Sequence, residues 1–205
     1  EIDTRDWSSD VCSSDLTANI GRRYQGKEVT EWFNYVEQEM AIPAKVTINI
    51  NNQFNEATRE LVSTVSITAL EAISGSYKVG AIVYEDAVTG PAPQYNQVNQ
   101  YSGYYQSMGG FENLPNPVPA NRMAFDHVGR KLLGGYNGED GMPSTLGAGE
   151  TYSHTFTYMV PEEYNHNYIR VAGLLIDSNG AIENVDKSAY LNGEDNAAPK
   201  FTSTP

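Results

Sequence analysis

The segment Gly109–Gly141 reads GGFENLPNPVPANRMAFDHVGRKLLGGYNGEDG and decides how the rest of the chain is interpreted. Its first part cannot be a helix or a central strand, because Pro115, Pro117 and Pro119 lack the amide donor and push their predecessors toward extended geometry. An apolar run, Met123–Leu133, follows and ends in a glycine-rich turn. Because sequence typical of β-strands lies on both sides, we expect a β-domain interrupted by one long, stiffened excursion.

Six further segments alternate between apolar and polar side chains or are continuously apolar. Alternation with a period of two predicts half-buried strands of an antiparallel sheet, and a continuous apolar run predicts a central strand. Asn179-Gly180 favours a tight hairpin after the continuous run. With Met123–Leu133 included, although its spacing also suits a helix, about seven strands are expected. The fold class is therefore mainly β, an immunoglobulin-like antiparallel β-sandwich. The six segments are 45–51, 61–69, 77–84, 151–160, 169–176 and 181–185.

One amphipathic helix precedes the strands, over residues 28–40. Its apolar residues recur at helical spacing along one face, and Pro43 stops it. The helix either packs on the sandwich or stands apart from it. The residues of the face are Val29, Trp32, Phe33, Val36 and Met40.

The proline-rich segment also carries a family resemblance. The runs GFENLPNPVP (110–119), FDHV-x-R (125–130) and GGYNG (134–138) resemble the outer-membrane-protein-28-related family of Bacteroidota. The resemblance implies a thioredoxin-like domain followed by an immunoglobulin-like β-domain, exported to the cell envelope, with no catalytic residue in the β-domain. It divides the chain into residues 17–42, a remnant of the thioredoxin-like domain, residues 43–190, the β-sandwich with the long loop 87–121, and residues 191–205, a flexible tail.

Residues 1–16 are set apart from this division. The run DWSSDVCSSDL (6–16) resembles the in-frame translation of a sequencing adapter, so we expect the segment to be non-native and exclude it from fold reasoning. The exclusion moves the net charge from −13 to −9 and removes Cys12, the single cysteine. We expect a truncated fragment whose native N-terminal segment, which would carry any signal or lipoprotein anchor, is missing.

The remaining composition excludes several classes of partner. An acidic chain disfavours nucleic acid and anionic lipid. No run of about 20 apolar residues exists that would span a bilayer as a helix. Phosphate-binding and cofactor motifs are missing from the sequence, so we expect no cofactor and no metal.

The excursion 87–121 is the candidate ligand- or partner-binding element. It is much longer than the roughly 15 residues at which structureless loops become uncommon. Its aromatic residues either fold back to cover the sandwich or form a recognition surface for a protein or a sugar. They are Tyr95, Tyr101, Tyr104, Tyr105 and Phe111.

Asp126, His127 and Arg130 suggest acid–base chemistry, but no nucleophile motif accompanies them. We therefore interpret the three as a structural anchor that ties the loop to the sheet. The turn 137–141 offers oxygen ligands without the spacing of a calcium loop, which favours a solvated acidic turn.

Three functional hypotheses remain. The first is a non-catalytic domain of an outer-membrane-associated envelope protein, with a binding or structural role and an envelope protein or a glycan as partner. The second is a carbohydrate-binding module that uses the tyrosine-rich loop 95–111. The third is an accessory domain of a thioredoxin-like redox protein whose active site is missing here.

Overall fold

The computed structural model describes residues 17–193. Within this range the chain forms eleven strands in four antiparallel sheets and a single α-helix. The segment 1–16, predicted to be non-native, and most of the predicted tail lie outside the described residues. The elements are β1 (Thr17–Ile20), β2 (Tyr24–Glu28), α1 (Trp32–Met40), β3 (Val46–Asn55), β4 (Glu60–Ala69), β5 (Ile73–Ser74), β6 (Lys78–Glu85), β7 (Val128–Leu133), β8 (Thr145–Leu146), β9 (Thr151–Met159), β10 (Ile169–Ile176) and β11 (Ile182–Lys187).

The two larger sheets form the predicted immunoglobulin-like β-sandwich. One has the order β3-β4-β9 and the other the order β11-β10-β6-β7, so the seven strands are arranged as 1-2-5 against 7-6-3-4. Their inward side chains share one apolar core, which includes Leu61 and Ile67 from one sheet and Val83 and Val171 from the other. The sheets approach closely at Gly173, where a Cβ atom would lie 2.8 Å from Val65.

The predicted alternation is observed most clearly in β4. Its odd-numbered residues are buried, whereas its even-numbered residues are partly exposed. On the outer face, Thr64 pairs with Thr155, Ser66 with Ser153 and Thr68 with Thr151, each pair joined by a hydroxyl–hydroxyl hydrogen bond of 2.8–2.9 Å. We call these three pairs the hydroxyl ladder.

The strand predicted over Met123–Leu133 is half right. Only Val128–Leu133 is a strand, because His127 has a φ of 57°, in the left-handed region that interrupts extended backbone. The Asp86 carboxylate accepts the His127 N–H at 2.7 Å and holds this conformation.

The helix predicted over 28–40 begins four residues late. Glu28 pairs with Thr17 at the end of the β1–β2 hairpin, and a short 3-10 turn then leads into α1 at Trp32. The predicted apolar face is weakly covered: among its members Met40 is 81% exposed and Phe33 is 37% exposed.

The β1–β2 hairpin contacts the sandwich directly. The Ile182 N–H donates to the Gly21 carbonyl at 2.9 Å, and Arg23 forms ion pairs with Glu183 at 3.1 Å and Glu39 at 2.7 Å. A groove of about 400 Å³ lies between α1 and β11. The assignment of residues 17–42 to the end of a thioredoxin-like domain stays a prediction.

Candidate binding surface

The excursion between β6 and β7 is an ordered substructure that buries several of its own apolar residues. Two backbone hydrogen bonds of 2.9 Å join Val88 to Phe125 at its base, and two of 2.8 and 3.0 Å join Gln97 to Val118 further out. Five of its apolar residues are buried, as expected because a loop of this length must bury some of its apolar residues to stay ordered. They are Val88, Met108, Val118, Ala120 and Met123.

Asn99 organises the outer half of the excursion, the part between the Gln97–Val118 bridge and the far end (residues 98–117). Its side chain is buried, and its Nδ2 donates to the carbonyl oxygens of Phe111 at 2.8 Å and Leu114 at 3.1 Å. Its Oδ1 accepts the Tyr101 N–H at 3.1 Å. One amide therefore connects the start of the outer half to its end, which satisfies backbone groups that no regular ladder serves.

Glu112 fixes the return turn. Its carboxylate accepts the N–H groups of Met108 at 2.9 Å and Gly110 at 3.0 Å. The hydrogen bond from the Met108 amide, with smaller contributions from neighbouring amides, lowers the pKa of Glu112 below its usual value. The ionised side chain thus holds the turn next to Phe111.

Three of the predicted aromatic residues meet at the end of the excursion. The rings of Tyr104 and Tyr105 stack with their centroids 5.2 Å apart, and Tyr101 meets Tyr104 edge-on at 6.4 Å. Tyr105 is 85% exposed, and Phe111 on the return turn is 40% exposed. We call Tyr101, Tyr104, Tyr105 and Phe111 the tyrosine tip.

Tyr95 lies apart from the tyrosine tip. Its half-buried ring packs edge-on against Phe125 at 6.0 Å and covers Gly90, where an added Cβ atom would collide with it. Tyr95 thus folds back on the base of the excursion, whereas Tyr105 and Phe111 of the tyrosine tip are exposed.

The three residues predicted as an anchor contact the start of the excursion. Asp126 accepts the Ala87 N–H at 2.9 Å. Arg130 donates through Nε to Glu85 at 2.8 Å and lies over the Tyr164 ring at 4.2 Å. His127 differs from the other two, since its side chain is 75% exposed and its ring stacks on Tyr84 at 5.5 Å.

A buried polar cluster beside this anchor was missed by the sequence reasoning. Tyr190 donates to Asp86 at 2.9 Å, and the Arg170 guanidinium lies over the Tyr190 ring at 3.9 Å. Burial, together with the Asp86 carboxylate, raises the pKa of the Tyr190 phenol above its usual value. No spacing motif joins residues 86, 170 and 190, so only the polar interruption at Arg170 in an apolar strand signalled the cluster.

The predicted acidic turn 137–141 is paired within the chain. Glu139 meets His154 at 2.9 Å and Asp140 meets Lys78 at 3.2 Å. Over residues 17–193 no group of three or more His, Cys, Asp or Glu side chains is arranged to hold a metal ion. In the same range, no helix has the length and apolar character needed to cross a bilayer.

Comparison with known proteins identifies one family. The family model of outer membrane protein Omp28 matches residues 13–193. Among solved structures, a domain of the outer membrane lipoprotein Omp28 from Porphyromonas gingivalis is 17% identical, with 71% of this chain and 88% of that chain covered and a TM-score of 0.38. A penta-haem cytochrome c552 from Thermochromatium tepidum is 12% identical, with 82% and 39% covered and a TM-score of 0.27. No curated protein matches.

Proposed function

The chain belongs to the Omp28 family of outer membrane proteins, and from this premise we propose that its β-sandwich is a non-catalytic binding domain whose recognition surface is the tyrosine tip. As a member of that family, it is a cell-envelope protein associated with the outer membrane. The sandwich acts as the rigid support, and the excursion carries the contact residues, the usual division of labour between scaffold and loops.

The exposure of Tyr105 carries the proposal. A stacked tyrosine pair offers a large amphipathic contact area, and its side chains lose little conformational entropy on binding. Here the ring of Tyr105 is 85% exposed although the segment beneath it is held by Asn99 and Glu112. An ordered support under an exposed aromatic pair reduces the entropy cost of binding.

Site-specific photo-crosslinking tests this proposal. Tyr105 is replaced by p-benzoylphenylalanine in the protein as expressed in its own envelope, with the same replacement at Tyr136, a 58% exposed tyrosine outside the excursion, as the matched control. We expect a discrete crosslinked product at position 105 and none at 136. Equal products at both positions, or none at position 105 together with no glycan binding, would refute the tyrosine tip as the recognition surface.

A glycan is the second candidate partner for the same surface. The flat face of an exposed tyrosine can stack on a sugar ring, and the tip has amide neighbours such as Gln106 that can bond to sugar hydroxyls. Binding to a panel of purified polysaccharides is measured for the native chain, for Tyr104→Ala/Tyr105→Ala and for Tyr136→Ala. Loss of binding in the tip variant alone supports a carbohydrate-binding module, whereas retention in that variant excludes the tip as the sugar site.

A further inference from the structure

Strand β9 is an outermost strand whose free side carries unpaired backbone groups. It pairs only with β4 in the sheet β3-β4-β9. Ala69 exchanges backbone hydrogen bonds with Gly149 and Glu150, which sets the alternation along the β4–β9 pair. The even-numbered residues of β9 therefore bond to β4, and the odd-numbered residues direct N–H and C=O away from the sheet. These are Thr151, Ser153, Thr155, Thr157 and Met159, and no backbone hydrogen bond joins their outward groups to any residue in 17–193.

The β9 edge lacks the devices that normally prevent strand-to-strand association. Its sequence TYSHTFTYM contains no Lys, Arg, Asp, Glu, Pro or Gly. Its pairing with β4 runs without a bulge from Thr151 to Met159, and the one bulge lies before the strand, where Ala69 faces both Gly149 and Glu150. The outermost strands of the other sheet differ. Both β7 (VGRKLL) and β11 (IENVDK) carry charged residues, and both have a bulge in their pairing. The other outermost strand of this sheet, β3 (VTININNQFN), also lacks charged residues and a bulge, but β11 lies beside its free side, where the Asn184 side chain donates to the Val46 carbonyl at 2.7 Å. The β9 edge has no such cover among the described residues.

We propose that β9 is a homodimer interface, in which two copies of the chain pair their β9 strands antiparallel about a twofold axis at Thr155. The pattern of β9 is palindromic about that residue from Tyr152 to Tyr158, so both faces match there, and the terminal pair sets Thr151 opposite Met159. Tyr152 lies opposite Tyr158 and His154 opposite Phe156, all aromatic, while Ser153 lies opposite Thr157 and Thr155 opposite itself. Aromatic and hydroxyl cross-strand pairs both stabilise antiparallel strands.

The register also agrees with the direction of the backbone groups. Thr155 and its odd-numbered neighbours occupy hydrogen-bonded positions of the new pair, which gives about ten backbone hydrogen bonds across the twofold axis. The aromatic residues fall at the non-hydrogen-bonded positions, where side chains approach more closely. The hydroxyl ladder then continues from β4 through β9 into the second copy, forming a six-stranded sheet.

Charge favours this surface for self-association. The chain has a net charge of −13, so most of its surface repels a second copy, yet β9 has no charged residue. A twofold interface is closed, and growth at the other edges is opposed by the charges and bulges of β7 and β11 and by Asn184 of β11, which caps the Val46 carbonyl on the free side of β3. The inference is independent of the function proposed for the tyrosine tip.

A charge-register experiment tests the interface. In Ser153→Lys/Thr157→Lys the proposed register sets like charges opposite each other twice, whereas in Ser153→Lys/Thr157→Glu it sets opposite charges there. The matched control, Thr47→Lys/Asn51→Lys, places two lysines at the same spacing on the exposed outer face of β3. Sedimentation velocity of the full chain measures the dimer dissociation constant, and far-ultraviolet circular dichroism checks the fold.

We expect the unchanged chain, the Lys/Glu variant and the β3 control to sediment as dimers at micromolar concentration. The Lys/Lys variant should show a dissociation constant at least tenfold higher than the Lys/Glu variant at low salt. A chain that stays monomeric up to several hundred micromolar overturns the proposal. So does a dimer that the Lys/Lys variant leaves intact, or one that the β3 control weakens equally.

Discussion

Replacing Asn99 with aspartate should open the outer half of the excursion while leaving the sandwich intact. The two side chains have the same shape, but aspartate has no Nδ2 donor. The carbonyl oxygens of Phe111 and Leu114, now 2.8 and 3.1 Å from that donor, would face a carboxylate oxygen instead. Two lost hydrogen bonds at about 1 kcal/mol each, with a similar amount for the repulsion, give a local cost of ~3 kcal/mol.

Hydrogen exchange measures this cost where it arises. The amides of Gly103, Phe111 and Leu114 form hydrogen bonds within the outer half. If the free energy of local opening falls by ~3 kcal/mol, these amides should exchange about a hundredfold faster. Amides of β4 should exchange as before, because global unfolding and local opening are separate events. Lowering the pH should reverse part of the effect, since a protonated aspartate regains one donor.

A matched variant makes the result specific to Asn99. The Asn113 side chain is exposed and donates only to the neighbouring Glu112 carboxylate at 2.8 Å, and its backbone bond to Gly110 survives in Asn113→Ala, so this variant should change exchange in the outer half very little. Equal acceleration in β4 and in the outer half would refute a local role for Asn99. The same conclusion would follow if Asn113→Ala matched Asn99→Asp.

Three further perturbations test other contacts. Arg130→Met leaves the buried Glu85 carboxylate without its ion pair and should lower the free energy of unfolding, measured by urea titration, by about 3 kcal/mol. The double variant Arg130→Met/Glu85→Gln should recover part of this loss. No recovery would contradict an unpaired buried charge as the cause. Because the pKa of Glu112 is lowered in the folded chain, its stabilisation of the turn is present above pH 4.5, the ordinary pKa, and is lost as the pH falls through the lower folded pKa. Opening of the turn, measured by amide exchange, should therefore increase only at acidic pH. Glu112→Gln should abolish that dependence. Gly138→Ala should lower the melting temperature more than Gly135→Ala, because both have a positive φ but only at Gly138 would a Cβ lie 2.9 Å from the Val79 carbonyl; equal losses would contradict the close approach.

The β-sandwich was predictable because its strands face a core on one side. Side chains that alternate residue by residue, as in β4 and β9, encode both the strand and its buried face. The continuous apolar run of β10 likewise identified a central strand, which the sheet order confirms. These signals are local, so a single sequence contains them.

The contacts that fix the excursion depend on long-range meetings that no local pattern encodes. Asn99 is one asparagine among many in a polar segment, and only the folded chain places its amide between carbonyls twelve and fifteen residues later. The break in the predicted strand at His127 likewise depends on Asp86, 41 residues earlier. The helix began late for the same reason, since pairing with β1 held Glu28 in a strand.

Because the excursion is closed at its base, it could be replaced by a short turn. Val88 and Phe125 face each other across one antiparallel bridge, so the chain leaves the sandwich and returns to it at nearly the same point. A two-residue Asn-Gly turn could join these positions without stretching either strand, since such turns suit adjacent antiparallel strands. The segment between Val88 and Phe125 could therefore be exchanged without changing the sandwich. Relatives could differ in this segment, and a foreign loop could be grafted there.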